Sequence, residues 1–179
     1  MRNQSSRTRV LRLCRGAAIA ALYVALTYLA MLMGLDKGAV QIRFSEALCV
    51  LAAFLPEAVP GLYVGCLLAN ILTGAMLPDI ILGPVATLIG AIGAYMLGAV
   101  IRKRGIKSIA FKCLVPLPTV IANTAIVPFV IYYCYIAPSE RTLAALPAIA
   151  LGVLAGEVIS AGVMGMLLYL SLEKSRIHL

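Results

Sequence analysis

The chain has 179 residues, 63% of them hydrophobic and 12% charged, and 15 Lys and Arg against 7 Asp and Glu give a net charge of +8. A soluble domain is about half apolar and a quarter charged. With a mean hydropathy of +1.03, this composition excludes an ordinary soluble enzyme and points to an integral membrane protein, to which bilayer rules apply. The basic residues flank apolar runs, so they read as topology signals under the positive-inside rule rather than as a nucleic-acid surface.

Residues 1–12, with Arg2, Arg7, Arg9 and Arg12, read as a basic cytoplasmic tail. Residues 13–171 read as the membrane domain, and residues 172–179, with Lys174 and Arg176, as a second cytoplasmic tail. The first apolar run, Cys14–Met33, is too long for a cleavable signal core and lacks an obvious cleavage site, so it is expected to be a retained span. Within it, Ala17, Ala21 and Ala25 repeat every four residues. Such a stripe lets another helix approach closely in lipid. It suits packing inside the bundle and docking of a separate membrane subunit equally well.

An external loop, Met33–Gln41, follows, carrying Asp36 and Lys37. The next stretch, Phe44–Leu77, is apolar but broken by the run Pro56-Glu57-Ala58-Val59-Pro60-Gly61. One span of that length is too long. Two spans give a short helix near Phe44–Leu55 and a fuller one near Val59–Ala75, with Glu57 solvated in the turn between. Charge parity favours two, because the basic loop Ile101–Lys112 then falls on the side of the Arg-rich N-terminus. A re-entrant hairpin gives the same parity. Pro78–Ile101, Cys113–Ile136 and Leu143–Leu170 complete the expectation: an all-α membrane protein of six transmembrane helices with both termini cytoplasmic.

Ionisable and carboxamide groups in such segments are costly and are functional candidates by default. They are Glu46, Asn70, Asp79, Asn123 and Glu157, with Gln41 and Arg43 at the mouth of the second segment. Each has a structural reading as well. Arg43 and Glu46 suit an i, i+3 helix pair. Asp79, after Pro78, suits the first turn of a helix. Asn70 and Asn123 suit interhelical hydrogen bonds. Glu157 sits mid-span with no basic neighbour. Gly152, Gly156, Gly162 and Gly165 suit internal packing. Together the polar set suits a small solute rich in hydrogen-bond donors, such as a guanine-like ring whose N–H and exocyclic amine meet one carboxylate. Tyr63, Tyr132, Tyr133, Tyr135 or Phe44 could stack on its face.

Cys14, Cys49, Cys66, Cys113 and Cys134 are scattered and read as small apolar packers, and the one histidine, His178, is in the tail. No metal site, cofactor or catalytic residue is expected. The stretch Arg104–Ser108 lacks the frame of a phosphate loop, so ATP hydrolysis is not expected of this chain.

Four blocks carry a family resemblance: VQIRFSEALCVLAAFLPEAVPGLYVGCLLANIL (Val40–Leu72), LPDIILGPVATLIGA (Leu77–Ala91), PLPTVIANTAIVP (Pro116–Pro128) and GVLAGEVISAGVMG (Gly152–Gly165). In content and order they resemble the QueT family, substrate-binding S components of energy-coupling factor (ECF) transporters. The resemblance implies a six-helix S component that binds a queuosine precursor or related 7-deazaguanine base near the external face. Its implied partners are a transmembrane coupling protein and two ATPases, and the alanine stripe matches the small-residue motif by which S components dock. The polar positions in the matched blocks, Gln41, Arg43, Glu46, Asn70, Asp79, Asn123 and Glu157, become the candidate substrate contacts, with Glu46 expected to face the pocket. The Met33–Gln41 loop is a candidate lid. The alternatives are a stand-alone small-solute transporter, an S component for another vitamin, a small membrane enzyme and an assembly subunit.

Overall fold

The computed structural model describes residues 2–35, 40–142 and 144–175, with residues 2–5 described by backbone alone. Expectations resting on Asp36, Lys37, Leu143, Arg176 and His178, and on most of the candidate lid, fall outside the described residues. All regular structure among those residues is helical. Four helical stretches are long and apolar enough to cross a membrane: Ser6–Leu32, Leu77–Arg104, Ile109–Tyr135 and Ala145–Lys174. Two shorter apolar elements, Phe44–Ala53 and Ala58–Leu72, complete the set of six expected from sequence.

Helix α1 runs from Arg2 to Leu32, so the basic N-terminal residues prolong the first span instead of leaving it as a loose tail. Next comes a ten-residue 3₁₀-helix, Phe44–Ala53. Such runs rarely exceed three or four residues, and their 2.0 Å rise gives this one a length of about 20 Å. An α-helix of ten residues would reach only about 15 Å. The segment is buried almost throughout, so its close-packed winding is held by neighbours on every side. It touches α1, α2, α3 and the last helical stretch. After a turn at Pro56–Glu57 come α2 (Ala58–Leu72) and α3 (Leu77–Arg104). The short α4 (Ile109–Lys112) leads into α5 (Leu117–Val130), which continues as a π-helical turn to Tyr135. Finally α6 (Ala145–Glu157) passes through a π-helical stretch, Val158–Met164, into α7 (Gly165–Lys174).

Cross-element contacts fix the direction of each passage. Thr27 donates to Ser45 Oγ at 2.9 Å, and Tyr23 reaches Glu46, so the 3₁₀-helix runs back along α1. Gly61 faces Gly16 and Gly65 faces Ala20, so α2 returns parallel to α1. A β-carbon at Gly61 would lie 2.6 Å from the Gly16 carbonyl oxygen, so only glycine permits this approach. Gly98 packs on Ala53, Gly90 on Thr119 and Gly165 on Val50, which order α3, α5 and α7 in turn. The two short elements therefore cross the whole bundle, and the re-entrant alternative is not what forms. Six passages bring the described N- and C-terminal ends to the same side.

That side is basic, and its basic groups hold elements together. Arg15 pairs with Glu57 at 3.3 Å, Arg102 donates to the Ala53 carbonyl, and Lys112 pairs with Glu173 at 2.7 Å. The expectation of a solvated Glu57 is corrected here. Its side chain is only 10% exposed because Arg15 of α1 covers it.

Candidate functional site

The opposite end of the bundle is open. A cavity of about 430 Å³ there is lined by Gln41, Arg43, Asn70, Thr73, Gly74, Ala75, Asp79, Val127, Ile131 and Tyr135. Four of the seven sequence candidates thus share one wall system: Gln41, Arg43, Asn70 and Asp79.

The α2–α3 turn forms one wall, and its shape follows from local chemistry. Gly74 adopts the left-handed conformation at φ 71°. Its N–H donates to Ile71 O, and Ala75 N–H donates to Asn70 O at 2.9 Å. This double closure satisfies the last carbonyls of α2 and turns the chain sharply into α3. Asn70 Nδ2 donates to the Asp79 carbonyl at 2.9 Å, the interhelical bond expected of it. Gly83 leaves the room for that amide, since a β-carbon there would lie 2.7 Å from Asn70 Nδ2.

Asp79 makes no side-chain capping bond to the start of α3. Its Oδ2 accepts from the Tyr135 hydroxyl at 3.1 Å, and that hydroxyl accepts from Met76 N–H at 3.1 Å. Its Oδ1 is buried without a partner. Tyr135, one of five stacking candidates in the sequence, is the one on the cavity wall. The π-winding of Ile131–Tyr135 carries it there.

Across the cavity, Gln41 to Arg43 form an extended strip laid on α6. Gly156 admits it: a β-carbon there would lie 1.8 Å from the Gln41 carbonyl oxygen. Arg43 N–H donates to Ser160 Oγ at 3.0 Å. Arg43 lines the cavity, and its charge lies within electrostatic reach of Asp79 and Glu46. It is not paired with either: the ion pairs among the described residues are Arg15–Glu57 and Lys112–Glu173. The expected Arg43–Glu46 helix pair is therefore absent.

The remaining three candidates lie one level deeper. Glu46 is fully buried. Its carboxylate accepts from Tyr23 and from Thr87 at 3.4 Å, with Cys49 Sγ at 3.4 Å from the other oxygen. This differs from the expectation that Glu46 faces the pocket. Three-fold winding puts Glu46 and Cys49 on one inward stripe. Asn123 and Glu157 are buried at 1% and 5% exposure. Tyr23, Thr87 and Ser160 were not singled out in the sequence, because a hydroxyl in an apolar helix gives no periodic signal of which face it serves.

The alanine stripe is not packed inside the bundle. Ala17, Ala21 and Ala25 are all exposed, while Gly16, Ala20 and Tyr23 make the contacts to α2. Gly152, Gly156 and Gly165 are buried, in keeping with internal packing. Of the cysteines, Cys49 and Cys66 are buried packers, whereas Cys14 and Cys113 are exposed.

A six-element apolar helical bundle with a solute-sized polar cavity at one end defines a multi-pass membrane protein. The family model described as QueT transporter matches residues 13–174, and the chain belongs to that family. No curated protein and no solved structure matches the chain.

Proposed function

We propose that the protein is the substrate-binding S component of an ECF-type importer for a queuosine precursor or related 7-deazaguanine base. The observation that carries this reading is one solute-sized cavity walled by both a carboxylate residue, Asp79, and a guanidinium residue outside any ion pair among the described residues, Arg43. A carboxylate accepts solute N–H groups, such as a substituent amine, and guanidinium N–H groups donate to solute acceptors. Gln41 and Asn70 add carboxamides, and Tyr135 adds an aromatic wall. A volume of about 430 Å³ lies within the range of small-molecule sites, about 300–1,000 Å³.

Both termini are assigned to the cytoplasm because Arg15, Arg102 and Lys112 gather at their end of the bundle. The cavity then opens outside the cell membrane. The exposed Ala17, Ala21 and Ala25 support docking of a transmembrane coupling protein, beside a groove lined by Gly16, Ala20, Pro60 and Gly61. Two ATPase subunits would supply the energy, so this chain binds solute and performs no catalysis.

Calorimetry on the purified chain in detergent tests the reading. Saturable binding of the aminomethyl or nitrile 7-deazaguanine, with riboflavin silent and affinity weakened in Asp79→Asn, is the expected result. A folded protein that binds no deazaguanine refutes the substrate assignment.

A further inference from the structure

Below the cavity lies a polar layer that the cavity walls do not use. Glu157 Oε2 and Asn123 Nδ2 are buried there without a hydrogen bond of good geometry, and Thr119 Oγ1 and Thr124 Oγ1, elsewhere on α5, are buried likewise. Asn123 and Thr119 lie one turn apart on α5, and the Glu157 carboxyl faces the Asn123 carboxamide at the margin of hydrogen-bonding range, with the Glu46 charge near by. Buried polar groups without partners are rare in folded proteins and need a cause. Burial alone is not that cause in this bundle. Glu46 is as deeply buried and is fully engaged by Tyr23, Thr87 and Cys49.

The Gln41–Arg43 strip lies on this part of the last helical stretch, over Gly156 and Ser160, which flank Glu157 in the chain. The helix rewinds to the π form immediately after Glu157, a feature frequent at functional sites. The strip is held by Arg43 N–H on Ser160 Oγ and by Ile42 N–H on Leu35 O, both at 3.0 Å, so lifting it breaks two hydrogen bonds and uncovers a set of donors and acceptors.

The composition of the set defines what fills it. A carboxylate oxygen offers an acceptor, and beside it a carboxamide nitrogen offers a donor. The complementary ligand edge carries a ring N–H next to a ring carbonyl, which is the lactam edge of a planar heterocycle. We propose that Glu157 and Asn123 form a deep subsite for that edge, reached when the Gln41–Arg43 strip lifts. Glu157 Oε2 accepts the lactam N–H, and Asn123 Nδ2 donates to the ring carbonyl. The ring substituent then points back to Asp79 and Tyr135. This assignment rests on the solute-binding reading above and adds which residues read the ring.

Two probes separate it from that reading. 7-Deazaguanine presents the lactam edge, and 7-deazaadenine presents the same ring with donor and acceptor exchanged. Calorimetry on the full chain is expected to show a preference of at least about 100-fold for the lactam, since sites built around buried polar groups reject mismatched edges strongly. Glu157→Gln should reduce that preference to within about threefold, and Asp79→Asn should weaken both ligands while preserving it. Melting temperature reports folding, and Asn123→Asp, which turns the donor into an acceptor, carries the same test if Glu157→Gln does not fold. A preference unchanged in both deep variants but abolished in Asp79→Asn overturns the deep subsite and leaves the importer reading intact. Failure of the unaltered chain to bind either probe overturns both.

Discussion

Replacing Gly156 by alanine tests the seat of the strip directly. The new β-carbon would stand 1.8 Å from the Gln41 carbonyl oxygen, where ordinary contact begins at 3.4 Å. The strip must retreat by about 3.4 − 1.8 = 1.6 Å. A rigid shift of that size stretches the 3.0 Å Arg43–Ser160 hydrogen bond well past bonding distance. Overpacking of this kind costs about 1–3 kcal/mol, and an orphaned buried N–H about 1–3 kcal/mol more. Alanine returns roughly 0.5–1 kcal/mol in helix propensity. The net loss is on the order of 3 kcal/mol, or roughly 6–12 °C in melting temperature for a chain of this length. A maleimide dye that fluoresces on reaching Cys49 and Cys66, buried in the folded protein, reads the transition. Gly162→Ala is the control, because its nearest neighbours lie at 3.9 Å; it should match the unaltered chain. If Gly156→Ala melts within about 2 °C of Gly162→Ala, the strip does not sit where the contacts place it.

Tyr23→Phe should lower stability by about 1–3 kcal/mol, because it strips a buried carboxylate of a donor; dye-monitored melting checks this, and an unchanged transition would mean that Tyr23 does not serve Glu46. Tyr135→Phe removes the hydroxyl shared by Asp79 and Met76 and should weaken 7-deazaguanine binding about three- to tenfold in calorimetry, in line with one hydrogen bond. Arg15→Gln should cost less than about 1 kcal/mol despite the covered carboxylate, since Arg15 itself is 42% exposed and such pairs contribute little; a larger shift in melting would contradict that. In a cysteine-free background, Ser139→Cys should react with an impermeant maleimide from outside intact cells and Ser108→Cys only after lysis; the reverse pattern would invert the topology.

The long spans were legible because apolar runs of about 20 residues leave few alternatives in a bilayer. The division at Pro56–Glu57 was legible from proline and charge parity. The 3₁₀ winding of Phe44–Ala53 was not, since no local propensity marks it and only packing on all sides imposes it. That winding is also why Glu46 turned inward to Tyr23 instead of lining the cavity. Asp79 and Asn70 were legible as polar groups at a membrane face. Their union with Gln41 and Arg43 depended on the Gly74 turn and on Gly156, where a missing side chain admits another part of the backbone. Glu57 was misread because its partner, Arg15, lies 42 residues away in sequence.

The ten-residue 3₁₀-helix has a mechanical consequence. Three residues per turn place successive side chains about 120° apart, against about 100° in an α-helix. Rewinding the same residues as α-helix would shorten the rod by about 5 Å and rotate one end against the other by about 200°. Ala53 is anchored by Arg102 and by contact with Gly98, so the displacement would appear at Arg43. Any such rewinding would turn the segment as a screw turns, with its head clamped at the basic end and its tip at the solute cavity.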